Sequence, residues 1–432
     1  MEPLLIVLII LLSAVGAAAG TFTGLVPGIH VNTLASIMLI AYPAIASAIS
    51  GFADPAWVPV LVSACIMSAS VVHSFVDFVP SVFTGAPDPD EVLSMLPGHR
   101  LLMVGHGMAA VRAAAIGSAI GAGCALLLAI PVQFIMIDGL ADKLDLLTLS
   151  VILFVLSVMI INEQKHRIWA VSLILVSGAI GYICMHGGLP CSGILGEGTL
   201  LFPLLSGLFG MPAMIMSTRN ARIPPQKDTV KDPVGPAPGI KGVLMGCVAG
   251  WYPGITATAG ASLAAAITPE NEPARFISMT ASIGTVTTVF SLITLSISGS
   301  GRSGTVLVIR DIVGDSVSGF CSETFMLLLV SVAVAIVLGY WITIGAGKVM
   351  SRVANSFDMN NLNKFIIVFV AALVLLLTGP CGLLILFVST LIGFIPVMTD
   401  MSRIPLTGCL MVPVVLNELG LNDALMGILT SI

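Results

Sequence analysis

Gly20-Thr21-Phe22-Thr23-Gly24-Leu25-Val26-Pro27-Gly28-Ile29 returns 226 residues later as Gly246-Cys247-Val248-Ala249-Gly250-Trp251-Tyr252-Pro253-Gly254-Ile255, with five positions identical. Each copy ends an apolar segment and runs into a small, hydroxyl-bearing one, His30-Val31-Asn32-Thr33 in the first and Thr256-Ala257-Thr258-Ala259 in the second. Proline has no N–H to donate and its ring clashes with the preceding turn, so the spacing predicts a helix broken at Pro27-Gly28 and again at Pro253-Gly254. Helices interrupted at corresponding points of two halves mark a repeat-built transporter whose site lies where the breaks meet.

Composition fixes the solvent. Of 432 residues 57% are hydrophobic and 9% are charged, with mean hydropathy +1.09, whereas a soluble domain carries about 25% charged residues. The chain belongs in a bilayer. Its apolar runs are continuous, so the pattern predicts helices rather than an outer-membrane barrel. At ~20 residues per crossing the length accommodates about ten to twelve transmembrane or re-entrant helices, giving an all-α polytopic membrane protein. The apolar run begins right after Met1-Glu2-Pro3 without a basic leader, which reads as a retained first span. Net charge is −5, thinly spread, with no basic stripe for a nucleic-acid partner.

Loop charge gives orientation, because Lys and Arg collect on the cytoplasmic side. The stretch 218–241 holds Arg219, Arg222, Lys227, Lys231 and Lys241 among five prolines and reads as a cytoplasmic linker. Lys165 and Arg167 mark an inside turn, while the aspartates of 138–145 face outside. The first half, 1–217, then starts outside and ends inside, so the second, 242–432, inserts upside down: an inverted-topology repeat in the plasma membrane with both termini outside.

Each half carries a second breaker-rich patch. In the first it is 80–90, with Thr84-Gly85; in the second it is Ser298-Gly299-Ser300-Gly301-Arg302-Ser303, leading into a helical stretch 305–310. Backbone N–H groups at a helix start, with a guanidinium beside them, suit an anion; the other reading is a solvated loop whose glycines turn the chain. Pro27, Gly28, His30, Asn32, Thr33, Thr84, Gly85, Pro253, Gly254, Thr256, Thr258 and Ser298–Ser303 are therefore the candidate substrate residues. His73 and Asp77, four apart, share a helix face and either anchor the following loop or carry a coupling ion or proton. The eight cysteines form no C-x-x-C pair and read as small core residues, with only Cys184 and Cys191 placed to meet across a turn. Nothing in the sequence calls for a metal, a cofactor or a catalytic residue: H-E-x-x-H, a P-loop and a nucleophile elbow are all missing.

The Gly-x-x-x-Gly-x-x-Pro-Gly openings, Thr84-Gly85-Ala86-Pro87 followed by Gly98-His99-Arg100 and by Gly105-x-Gly107 leading to Arg112, and the Ser298–Gly304 loop resemble the large permease subunit of tripartite tricarboxylate transporters, in its shorter archaeal-type branch. The resemblance covers nearly the whole chain. It implies an integral permease that moves small carboxylates on a cation gradient, proton or sodium, with a small membrane subunit and an extracellular binding protein as partners. The Pro-Gly break is also similar to that of polyprenyl-phosphate translocases, so a lipid-phosphate flippase is the alternative function.

Overall fold

The computed structural model describes residues 2–26, 29–84, 93, 95–137, 139–163, 166–194, 196–197, 199–216, 223–227, 233–353, 359–422, 424–425 and 427. Helix α1 (Pro3–Leu25) stops where Val26 turns extended one residue before Pro27, and α2 (Val31–Ile40) starts behind His30, whose Nδ1 accepts from the Asn32 N–H at 3.1 Å. A side-chain acceptor on an otherwise orphaned N–H is what defines a helix start. Helix α3 (Tyr42–Ile49) continues from α2 at a 71° bend.

Then come α4 (Val58–Val76), α5 (Phe78–Thr84), α6 (Met95–Met103), α7 (Gly107–Ile137), α8 (Leu140–Asp145), α9 (Thr148–Asn162) and α10 (Arg167–His186). A two-residue antiparallel ladder, β1 (Ser192–Gly193) with β2 (Gly196–Glu197), precedes α11 (Leu201–Leu205) and α12 (Met211–Met216), which a π-helical turn joins. The second half comprises α13 (Ala237–Trp251), α14 (Ala257–Ile267), α15 (Pro273–Ser298), α16 (Gly304–Val313), α17 (Glu323–Val353), α18 (Met359–Met398, kinked at Gly379) and α19 (Gly408–Glu418). Helix α13 opens inside the stretch read as linker, with Pro238 in its first turn, where proline is tolerated.

Seven of these helices are long and apolar enough to span a bilayer, or eight if α2 and α3 count as one bent span. The ten to twelve expected from length included re-entrant helices as well as full spans. Breaks divide the remaining apolar sequence into helices of 10–17 residues, such as α9 and α14, shorter than the ~20 a full crossing needs. Outward faces are apolar, with Leu11, Phe22, Phe134, Ile168, Trp341 and Phe387 exposed, as lipid contact requires.

The most enclosed helices are α4 and α15, and both are rich in Ser and Thr. Hydroxyls are affordable there because they donate back to their own helix: Thr285 to the Ala281 carbonyl, Thr287 to Ile283, Ser291 to Thr287 and Thr294 to Phe290. Small residues also let backbones approach. On α1, a Cβ at Gly16, Gly20 or Gly24 would fall within 3.1 Å of the carbonyl oxygen of Cys65, Ala69 or His73. On α13, Gly242, Gly246 and Gly250 meet the carbonyls of Met279, Ile283 and Thr287 at 2.5–3.0 Å. The glycines repeat at a spacing of 226 and the carbonyls they face at 214.

The same doubling holds between halves. Gly117 of α7 abuts the Ser278 carbonyl of α15, and 214 residues on from Gly117, Ser331 of α17 donates to the Ala64 carbonyl of α4. Gly181 of α10 meets the Cys409 carbonyl of α19; Gly393 of α18 meets the Leu208 carbonyl of the π turn. Gly408 meets the Ile174 carbonyl; Gly207 meets that of Leu386. Helices α7 and α17 run antiparallel. Gln133, late in α7, bonds the Gly319 carbonyl and the Cys321 N–H just before α17, and Val111, early in α7, lies against Gly347 near the end of α17.

Candidate functional site

Both predicted helix interruptions are present. The second runs through Tyr252, Pro253 and Gly254, the last at φ +77°, to Thr256, whose hydroxyl accepts from the Ala259 N–H at 3.2 Å and starts α14. Pro27 and Gly28 themselves lie outside the described residues, as does Gly85; Thr84 closes α5.

The breaks flank the turn between α15 and α16, residues 299–303. On one side Asn32 accepts from the Thr305 N–H at 3.0 Å and fills the space over Gly304. On the other, Pro253 shares a cavity of about 510 Å³ with Ser300, Arg302, Asp142, Asp145, Thr148 and Glu418. Gly254 packs against α19 at the Leu410 carbonyl.

Helix α16 begins as the Ser/Gly run predicts, with Ser303 as its cap, accepting from the Val306 N–H at 3.4 Å. Two N–H groups of its first turn are thus already satisfied, by Asn32 and by Ser303. Their pull on an anion is correspondingly reduced. Ser298 donates back to the Thr294 carbonyl and accepts from the Ser300 N–H, Gly299 closes α15 at φ +65°, and Gly301 rests on Leu307. Arg302 is the charge of the turn, and it faces the second break, where its Nη2 donates to the Asp145 carboxylate at 3.1 Å.

The first break is lined by imidazole and hydroxyl. The His30 and His73 rings stand 5.1 Å apart, and His73 Nδ1 lies 3.0 Å from the Thr23 hydroxyl. Asp77 caps α4 one turn on from His73, and both are buried. A relay of hydroxyls crosses toward the second half: Ser70 with Thr305 at 3.3 Å, Thr305 with Ser303 at 3.1 Å, and Ser74 with Thr288 at 3.0 Å. Thr33 bonds the His30 carbonyl through its backbone, and Thr258 is buried in α14. Outside the spans, Glu270 between α14 and α15 is held below the usual carboxylate range chiefly by its hydrogen bond from Arg275, against the opposing effect of burial and with help from Lys241.

These broken helices, the half-buried polar turn and the apolar exterior describe a membrane permease, and the model of the tripartite tricarboxylate transporter TctA family matches residues 10–408. The chain belongs to that family. The permease is similar to an uncharacterized protein of Methanocaldococcus jannaschii, 25% identical over 366 residues that make up 84% of this chain and 85% of that one. No solved structure matches it. Family and helices together make it a multi-pass membrane transporter.

Sequence reasoning missed Asp145, Glu418, Thr23, Ser70, Ser74, Thr288 and Thr305. Asp145 served only to orient a loop, and its partner is 157 residues away. The hydroxyls had a signal: Ser74 and Thr288 stand in the same 214-residue relation as the packing carbonyls of α4 and α15. The eight cysteines form no disulfide, and among the described residues no cluster of His, Cys, Asp or Glu could hold a metal.

Proposed function

We propose that the permease is a secondary carrier for a small carboxylate, working by alternating access at a site between two inverted halves, 1–217 and 242–432, joined by a cytoplasmic linker at 218–241. The observation that carries this is the reciprocity of contacts. A contact made by one half recurs with the roles exchanged, as across a two-fold interface, and counterparts α7 and α17 run antiparallel, as inversion requires. A residue touching its own counterpart lies on the axis. Ser74 and Thr288, 214 residues apart, touch at 3.0 Å, which supports this reading.

Chemistry divides between the breaks. Arg302 offers the substrate anion a planar fork at the second. His30 and His73, with Asp77, supply the coupling cation or proton at the first; their counterparts in the second half are Thr256 and Thr287, which do not titrate. The carrier is placed in the plasma membrane with both termini outside, and a small membrane subunit and an extracellular binding protein are its proposed partners, as in tripartite systems generally.

A thermal-stability screen of the purified protein tests the substrate class, because a ligand that binds the native state raises apparent stability by mass action. Citrate and succinate are expected to stabilise and polyprenyl phosphates are not. Arg302→Ala abolishes uptake, and Arg302→Lys, which keeps charge without the fork, weakens it less. Stabilisation by polyprenyl phosphate alone points to the flippase reading instead, and uptake at the wild-type rate in Arg302→Ala removes Arg302 from the site.

A further inference from the structure

The Arg302–Asp145 pair is lopsided. Asp145 engages Nη2 at 3.1 Å, whereas Nε of the same guanidinium is buried and meets no acceptor among the described residues. Carboxylates bind guanidinium most strongly through two parallel bonds, so half of the fork is unused. The partners are also unequally embedded, with side chains 13% exposed for Arg302 and 39% for Asp145. A carboxylate so close to water leaves at little cost, while a buried guanidinium left bare is costly. Asp145 ends α8 in the first half, Arg302 belongs to the second, and both line the cavity beside Pro253.

We infer that Asp145 is a built-in stand-in for the substrate carboxylate: it holds Arg302 and latches α8 to the turn between α15 and α16 while no anion is bound, and an incoming carboxylate displaces it onto water. Only the substrate class rests on the carrier reading above. Replacement of one carboxylate by another keeps the buried guanidinium compensated, so the exchange needs no bare charge. The incoming acid gains what Asp145 does not use, a second bond at Nε. The latch also taxes affinity, since whatever holds Asp145 in place is subtracted from the binding of the substrate. Asp142 and Glu418, on the same cavity wall, bias the cavity further against a resident anion, which favours release.

Asp145→Asn keeps the shape and removes the charge. In liposomes containing the full-length permease it is expected to lower KM for citrate or succinate about threefold to tenfold, because about 1.4 kcal/mol of relieved competition equals a factor of ten. Arg302→Ala in the Asp145→Asn background still eliminates uptake. A substrate-free measurement accompanies this: Ser300→Cys on the cavity wall, labelled by a membrane-impermeant anionic thiol reagent above the wild-type background, reacts several-fold faster when Asp145→Asn is added. Asp145→Ser serves in the same assays where the Asn variant is not recovered folded. Unchanged labelling overturns the latch, as does an unchanged or raised KM. A wild type that neither binds nor carries citrate or succinate overturns the carrier reading, and labelling then decides the latch alone.

Discussion

Gly20→Ala measures how tightly α1 lies on α4. The added Cβ would stand 2.3 Å from the Ala69 carbonyl oxygen, about 1 Å inside ordinary contact, and that oxygen belongs to a helix backbone that cannot swing aside. Alanine gains ~1 kcal/mol of helix propensity over glycine, while overpacking of this kind costs typically about 1–3 kcal/mol, occasionally more. With a backbone atom at 2.3 Å the steric cost lies at the upper end of that range, so the steric term wins, for a net loss approaching about 2 kcal/mol. For a protein of this size that lowers the thermal midpoint of the detergent-solubilised permease by about 1–2 °C. Gly246→Ala on α13 meets Val286 Cβ at 2.5 Å and the Ile283 carbonyl at 3.0 Å, and is expected to fall alongside Gly20→Ala. Gly123→Ala, in α7 with nothing within 4 Å of the new Cβ, keeps the propensity gain and holds or raises the midpoint. A Gly20→Ala protein as stable as wild type, or a Gly123→Ala protein that falls equally, refutes the close-approach argument.

Gln133→Leu strips the Gly319 carbonyl, the Cys321 N–H and the Ser296 hydroxyl of their shared partner. Gly319 is exposed and Ser296 keeps its bond to the Ile293 carbonyl, so the loss is that of about one buried group, about 1–3 kcal/mol; the variant is expected to unfold at a slightly lower temperature, and an unchanged midpoint would mean that those groups re-pair. Glu270→Gln is expected to lower the midpoint at neutral pH, and the gap to wild type should close on acidification. Because its folded pKa is depressed, the stabilisation by Glu270 is full above the ordinary carboxylate pKa of about 4.3 and disappears as pH falls through the lower folded value; a gap independent of pH contradicts the ionic origin. His73→Thr installs the residue of the equivalent position in α15. Exchange of internal for external citrate should persist while accumulation driven by a proton or sodium gradient is lost, and retained accumulation excludes His73 from coupling.

Much of this architecture was legible in residues 20–33 and 246–259. Proline without a donor, followed by a glycine and a capping side chain, dictates a stop and a restart whatever surrounds it, and both occur. The cap of α16 was legible for the same reason, since Ser303 acts on its own neighbours. What escaped is what sequence separates. On the proposed pairing of halves, loops of unequal length shift the spacing of counterparts from 226 at α1 to 214 at α4 and α7, then to 212 at α10 and 201 at α19, so a constant-offset comparison stops matching after the first helix. Arg302 was found as a charge in a Ser/Gly turn, but its acceptor lies on a short helix far away in sequence, and only the folded chain sets the two side by side.

The exchange of helices between halves limits how this molecule can move. Helix α7 lies against α15 and α17 against α4, while α10 grips α19 and α18 grips the α11–α12 segment. Cutting the structure between 217 and 242 would sever every one of those contacts. The natural seam runs elsewhere, between a body built from α1, α4, α7, α13, α15 and α17 and another gathered around α10, α18 and α19, each with its own apolar centre. Each body draws on both ends of the gene, so rocking of one against the other would swing helices of both sequence halves together, with the broken helices and the Arg302 turn at the hinge line.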